Sequence, residues 1–358
     1  LPSIRISKAD RKDDADILQF SASFASEGNL KLALDRSPSF FDSIAKDGEN
    51  PEIIIGRDII SNQLVGIGYK IESNFILKSK RFRFGYLAGL RLLKEYRSGI
   101  ALARGYKKLK ELHDLCSCHG YFTTIQSENQ NAIEILSSHR AGLPYYQFLT
   151  HLTTFIWNPK VYKKSSNLSV EVVKDSYEYK SFVENTKRAA YLMPEWEDSF
   201  YENPNIVRYL IKDGEKIVSS FSLWDQSKFK RWRVIDYSKW IKKLRKLYNV
   251  YASVKRLPKL PTPGSPLDYQ FLTQLCISEE YINRLPEVFS KIFATSSENF
   301  PDVYLCYTLS KEDPWFPIVN KIPSWKIQSL AYYVHWNPAN NFFNQKIEGF
   351  SIWETGLL

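Results

Sequence analysis

Gly85-Tyr86-Leu87-Ala88-Gly89-Leu90-Arg91-Leu92-Leu93-Lys94-Glu95-Tyr96-Arg97-Ser98-Gly99-Ile100-Ala101 reads as a strand, a short basic turn and the start of a helix. Gly85 to Leu93 is apolar and strand-like. From Gly99 onward, Leu102, Tyr106, Leu109, Leu112 and Cys116 recur at spacings of three and four, the period of one helix face. A strand that turns directly into a helix aims several backbone N–H groups at one spot, at the positive end of the helix dipole. Phosphate or pyrophosphate suits such a spot. Gly99 lets an anion approach without a Cβ in the way, and Arg97 adds a charge-assisted contact. An ordinary strand–helix turn on a basic face is the other reading of the same residues.

The flanking sequence alternates periods in the same way. Ile4 to Ser7 predicts a short strand, and Asp13 to Phe24 a helix with acids at its start. Ile53–Ile55 and Leu64–Ile71 predict a strand pair joined at Asn62-Gln63. Tyr121–Ile125 is rich in β-formers, Asn131–Ser138 suits a short helix, and His151–Trp157 a closing strand. The expected class is α/β in the mixed, α+β sense.

A repeat crosses the middle of the chain. Thr154-Phe155-Ile156-Trp157-Asn158-Pro159 is answered by Tyr333-Val334-His335-Trp336-Asn337-Pro338, 179 residues later in a chain of 358. Val207 to Ser222 repeats the strand–turn–strand of Ile53 to Gly68, with Asp213-Gly214 as its turn. Asn158 to Asn167 is polar and rich in Lys and Ser. The expected organisation is two related domains, 1–158 and 169–358, joined by a linker at 159–168.

Further pieces follow the opening stretch in order: Tyr121-Phe122-Thr123-Thr124-Ile125, Glu128-Asn129-Gln130-Asn131-Ala132 and Arg140-Ala141-Gly142-Leu143-Pro144-Tyr145. With them, residues 1–158 resemble the GNAT N-acetyltransferase superfamily. The family has an Arg/Gln-x-x-Gly-x-Gly/Ala turn that cradles the pyrophosphate of acetyl-CoA. Its two central strands splay around the pantetheine arm, and an Asn-x-x-Ala opens the next helix. The resemblance implies two GNAT-like domains, each with a mostly antiparallel sheet and a central splayed parallel pair flanked by helices. It implies acetyl-CoA or another acyl-CoA as co-substrate, without a metal. Leu90, Arg91 and Leu92 would pair with the pantetheine; Arg97, Ser98, Gly99, Ile100 and Ala101 would form the phosphate turn; and Asn129 would contact the cofactor. The reaction implied is N-acyl transfer to an unidentified amine by direct attack in a ternary complex. A chain that keeps the fold and binds CoA without turnover, or serves as a peripheral membrane or scaffold protein, is the alternative.

The sequence departs from the family in places. Arg97 lies two residues before Gly99 instead of three, and Leu136 stands where the family often has a Tyr that protonates the leaving thiolate. Tyr145, Tyr146 and His139 are substitutes for that acid. The amine must also lose a proton, for which Glu72 and Glu128 are the acids at hand, both read as surface residues. In the second half, Phe271–Ile277 takes the place of Gly85–Leu93 and Val303–Thr308 that of the splayed strand. The segment between carries Glu279 and Glu280 and no Gly, a composition that repels pyrophosphate. This half is expected to be a degenerate repeat.

Composition bounds the rest. With 44% hydrophobic and 25% charged residues the chain is of ordinary globular make-up, and no run is long and apolar enough to span a membrane. Four Cys do not make a disulfide framework in so long a chain, so a reduced, cytoplasmic protein is expected. The chain starts at Leu1, without the basic and apolar blocks of a signal peptide. The net charge of +10 is uneven: 78–110 holds eleven Lys and Arg against Glu95, and 228–259 twelve against Asp236. In the second segment Trp240, Ile241, Leu244, Leu247 and Tyr248 oppose Lys242, Lys243, Arg245 and Lys246 on an amphipathic helix. Packing on its own domain, an anionic membrane surface, and an acidic protein or nucleic acid are its possible uses, nucleic acid being the weakest. His113, Cys116, Cys118 and His119 crowd one helix end with poor metal-ligand spacing. Gly66-Ile67-Gly68 sits inside a strand pattern, and neither a P-loop nor a nucleophile elbow occurs.

Overall fold

The computed structural model describes all residues except 1–3, 25–29, 98, 256–258, 301–302, 338–341, 344–348 and 358. Its strands are β1 (Ile4–Lys8), β2 (Leu30–Asp35), β3 (Glu49–Asp58), β4 (Leu64–Leu77), β5 (Lys80–Leu92), β6 (Tyr121–Gln126), β7 (Tyr145–Trp157), β8 (Ser169–Val172), β9 (Leu192–Pro194), β10 (Ile206–Asp213), β11 (Lys216–Trp224), β12 (Arg231–Tyr237), β13 (Tyr269–Ile277), β14 (Tyr304–Ser310) and β15 (Trp325–His335). The helices are α1 (Asp14–Ser23), α2 (Phe40–Ile44), α3 (Gly99–His113), α4 (Gln130–Leu136), α5 (Ser176–Thr186), α6 (Asp198–Tyr201), α7 (Lys239–Lys255), α8 (Leu285–Asn299) and α9 (Phe316–Val319).

Thirteen strands form one continuous sheet in the order β1-β3-β4-β5-β6-β15-β7-β14-β13-β11-β10-β8, with β9 on the side of β4. Two pairs in it are parallel, β5 with β6 and β13 with β14. The mixed, mostly antiparallel sheet with splayed parallel pairs is the class read from the sequence, but the two sheets are joined. The join is made by β7 and β15, antiparallel from Trp325 opposite Ile156 to His335 opposite Tyr145. The last strand of the second half thus lies between β6 and β7 of the first half, and β7 pairs with β14 of the second.

The repeated Trp residues follow this crossing. Trp157 ends β7 and packs on Phe289 and Phe293 of α8, in the other half of the chain. Trp336 follows β15 and stacks on His113 of α3, again in the other half. Each half's helix is roofed by the other half's aromatic, so the core is shared.

On one face of β3–β6, α1 and α2 cover a core that includes Ile17, Ile44, Tyr69, Phe84, Phe122 and Trp353. On the opposite face, α3 and α4 cover Leu87, Tyr106, Leu109, Tyr121 and Ile125. The alternation of Phe84 and Tyr86 with Gly85 and Leu87 along β5 follows the two-residue period of a strand. A separate two-stranded sheet pairs β12 with β2 and carries α7.

Candidate acyl-thioester site

β5 and β6 pair only at Gly85–Tyr121 and Tyr86–Phe122. Beyond that the Thr123 hydroxyl donates to the Leu87 carbonyl at 2.8 Å, and the Tyr86 and Thr124 hydroxyls lie 2.6 Å apart on the α1/α2 face. Among the described residues no ladder pair joins the strands further on, so the edge of β5 from Ala88 to Leu92 is open on the β6 side. Its divergence has a local cause. Against β4, Tyr69 sits opposite Ala88 but Ile67 opposite Arg91, so β5 carries one extra residue, a β-bulge. Gly89 lies in the bulge at φ 67°, and a Cβ there would come within 2.5 Å of the Tyr69 ring. A Gly inside a strand is the sequence signal of such a bulge, and Gly89 carries that signal here.

From the bulge the chain runs through a short 3-10 turn at Lys94–Tyr96 into α3, which starts at Gly99 as read. Ser98 lies outside the described residues. Arg97 is exposed, and its Nε donates to the Leu92 carbonyl at 3.1 Å, so its guanidinium folds back along β5. Three residues before Gly99, where the family turn has Arg or Gln, stands Tyr96, whose hydroxyl donates to Asp58 at 2.9 Å. Ile100 is exposed, while Ala101 is buried against Ile4 and Val65. Leu90 is exposed and Leu92 half-buried. Arg91 is half-buried, donates to the Ser21 carbonyl at 2.7 Å, and has its pKa lowered by burial. Asn129 caps α4, its Oδ1 accepting from the Ala132 N–H at 3.2 Å.

Of the candidate acids and bases, His139 and Tyr145 are brought together, their ring centroids 5.9 Å apart. Tyr146 is buried between α3 and the sheet, its hydroxyl 2.5 Å from that of Tyr106, and burial holds its pKa well above the usual phenol range. Tyr145 is 40% exposed and stacks on His335. His139 and Glu128 are exposed. Glu72 is not the surface residue expected: it is buried and bonded to Lys70 at 2.8 Å, Arg83 at 3.0 Å and Asn50 at 3.1 Å. Though buried, it is held below the usual carboxylate range by those donors. Its carboxylate lies near the thiols of Cys116 and Cys118, all within 4.8 Å of one another, with both of its oxygens already occupied by the cations and the amide.

A carboxylate with the opposite character lies across the sheet. The segment 349–357 runs over the α1/α2 face, tied by the Ile352 N–H to Leu192 at 2.8 Å and by Ser310 to the Ser351 carbonyl at 3.0 Å. It brings Glu354 to a cavity of about 20 Å³, roughly the room one water needs, lined by Asp47, Ser73, Phe75, Tyr86 and Trp353. Glu354 also lines a second, smaller cavity beside Arg188 and Tyr307. Burial pushes its pKa up to about 7, against the pull of the Thr273 hydroxyl and the Gln274 N–H. No local pattern in Trp353-Glu354-Thr355 marks this residue, because its burial depends on strands far away in the sequence, such as β13 with Thr273, 81 residues before it.

Asp47, on the same cavity, accepts from Arg36 at 2.6 Å and lies 3.4 Å from the Lys230 ammonium. Arg36 also donates to the Tyr69 hydroxyl at 2.8 Å. The ring on which Gly89 rests is therefore linked to the cavity wall through Arg36 and Asp47. Burial draws the Lys230 pKa down to about 8 despite Asp47.

The corresponding place in the second half differs. After β13 comes a 3-10 segment, Glu279–Arg284, in which both acids are exposed and Glu280 pairs with Lys216.

A sheet opened by a bulge at a parallel pair, followed directly by a helix, defines a GNAT-like fold, and this chain has it. Among solved structures it resembles Saccharomyces cerevisiae N-myristoyltransferase with bound myristoyl-CoA, at TM-score 0.59 and 11% identity over 94% of this chain and 80% of that one. A glucosamine N-acetyltransferase region of a fungal multi-domain GH3 β-N-acetylglucosaminidase matches at 0.59 and 9%, over 93% of this chain and 38% of that one. A probable N-acyltransferase from Enterococcus faecalis V583 matches at 0.51 and 9%, over 96% and 75%. No family model matches the chain, and no curated protein sequence matches it.

Proposed function

We propose that the chain is an acyl-CoA-dependent N-acyltransferase, and the observation that carries this is the parting of β5 and β6 beyond Tyr86–Phe122, ahead of the start of α3. The free edge at Leu90–Leu92 offers backbone partners to a pantetheine arm. The start of α3 at Gly99, with Arg97 just before it, offers N–H groups and a positive dipole end to the pyrophosphate, and Asn129 would flank the arm. The fold shared with a yeast enzyme crystallised with myristoyl-CoA supports acyl-CoA as co-substrate.

In this reading the thioester sits where the strands part, beside the Tyr86–Thr124 hydroxyl pair. The cavity that Tyr86 and Glu354 share has room for one water and not for a substrate, so Glu354 acts through that water. The lone pair of the acceptor nitrogen attacks the thioester carbonyl carbon, the amine proton passes through the water to Glu354, and the carbon–sulfur bond breaks. The hydroxyl pair donates a hydrogen bond to the leaving thiolate, which takes its proton from solvent. A carboxylate with pKa about 7 is poised for such a transfer near neutral pH. Holding both reactants in one site supplies much of the rate. Residues 1–158 and 169–358 are in this reading two repeats that have exchanged their last strands, and only the first keeps the cofactor turn.

The test is calorimetry with CoA, acetyl-CoA and myristoyl-CoA, followed by thiol release with a panel of amines. Binding that weakens about tenfold in a folded Gly99→Val protein, as the loss of a helix-terminus phosphate contact and its approach would give, supports the site. CoA affinity unchanged by that substitution overturns it.

A further inference from the structure

Helix α7 has two apolar faces. Ile241, Tyr248 and Ala252 turn inward; Tyr248 receives the Trp325 indole N–H at 2.7 Å, and Ala252 is fully buried. Arg245 also turns inward and donates to the carbonyls of Leu260 and Pro261, so it belongs to the packing and not to the basic surface read from the sequence. The outer face carries Trp240, Leu244, Leu247, Val250, Tyr251 and Val254, at spacings that keep them on one side. They are left in the open: Trp240 is 60% exposed, Leu247 69% and Val254 75%. Trp240, Leu244 and Leu247 thus form a solvent-facing stripe, apart from Ile241 and Tyr248, with which the sequence grouped them on one apolar face.

The charges beside that stripe identify its occupant. The helix holds six Lys and Arg and no acid. Lys242 pairs with Asp236, while Lys239, Lys243 and Lys246 have no ion pair among the described residues. A second copy of this chain would set Lys against Lys. An anionic bilayer surface meets both features, since it accepts an apolar stripe at the headgroup boundary and attracts the flanking ammonium groups. Trp240 and Tyr251 have the amphipathic rings that settle at that depth.

We propose that the outer face of α7 lies on anionic membrane, holding the protein at a lipid surface. The inference is independent of the acyl-transfer reading. The full chain is mixed at low salt with vesicles of phosphatidylcholine alone, or of phosphatidylcholine with phosphatidylglycerol, and floated on a density gradient. Binding is expected only to the anionic vesicles and is expected to fade as salt is raised. Lys243→Gln and Lys246→Gln should each weaken it by about fivefold. Leu247→Asp with Val254→Asp should weaken it at least about tenfold with unchanged circular dichroism. No flotation at low salt overturns the proposal, as does flotation untouched by the Asp pair. Sedimentation that shows a dimer dissolved by the Asp pair overturns it in favour of a second copy on this face.

Discussion

The hydroxyls of Tyr86 and Thr124 lie 2.6 Å apart across the point where β5 and β6 separate. Burial raises the Tyr86 pKa, so the phenol stays protonated and serves a leaving thiolate as a hydrogen-bond donor. Tyr86→Phe is expected to lower kcat by about a hundredfold, at the low end for one lost donor to charge that develops in the transition state. The KM for acyl-CoA should stay within about twofold, because the lost interaction is made only in the transition state. Thiol release under saturating amine measures both.

Glu354 links rate to stability. Its folded pKa of about 7 stands above the ordinary 4.5, so the folded state holds more protons than the unfolded one between those values. Stability therefore falls as pH rises through that window. Glu354→Gln should be more stable than the parent at pH 8 by up to about 3 kcal/mol, and by nothing at pH 4. Urea titrations at the two pH values read the difference. If Glu354 is the base, the parent's activity climbs through about pH 7, and the Gln variant loses both the climb and the activity.

Asp47 compensates two buried cations, Arg36 and Lys230. Asp47→Asn leaves both without their shared anion and should cost about 3–5 kcal/mol. Lys230→Met keeps the Arg36–Asp47 pair and should cost clearly less. Thermal unfolding of the two variants side by side gives the ranking, and equal losses would remove Asp47 from the centre of the cluster.

Gly89→Ala forces a Cβ against Tyr69 at a positive φ. The expected loss is about 2–3 kcal/mol from backbone strain and overpacking together. The bulge should relax toward a regular strand able to pair further along β6, so CoA affinity drops by more than the stability change alone requires. Calorimetry at a temperature where the variant is fully folded separates the two.

Much of this was legible from local patterns. The strand–turn–helix around Gly99, the β-rich Tyr121–Ile125 segment and the hairpin at Asp213-Gly214 are set by periodicity and turn chemistry acting over a few residues. The Trp-Asn-Pro echo marked β7 and β15, though not that they lie side by side, since strand partners are chosen by contacts far apart in sequence. Tyr146 as an acid failed to account for burial, because a Tyr at strand period points to one face or the other with nothing local to say which is covered. Glu354 and Asp47 owe their character to low-dielectric surroundings built from several distant strands. Helix α7 was legible as amphipathic, but its two apolar stripes could not be sorted into inner and outer until β12 and β15 were in place.

The crossing of β7 and β15 sets the order in which the chain can be completed. β6 and β7 are ready early in synthesis, yet the strand that belongs between them is β15. At about 5–20 residues per second, the edges of β6 and β7 stay unpaired for on the order of 10 to 30 s on the ribosome. A nascent chain in that interval offers two open β-edges to its neighbours. Truncation just before Trp325 should therefore turn a well-behaved protein into one that needs a chaperone or aggregates, even though most of the candidate site residues are already present.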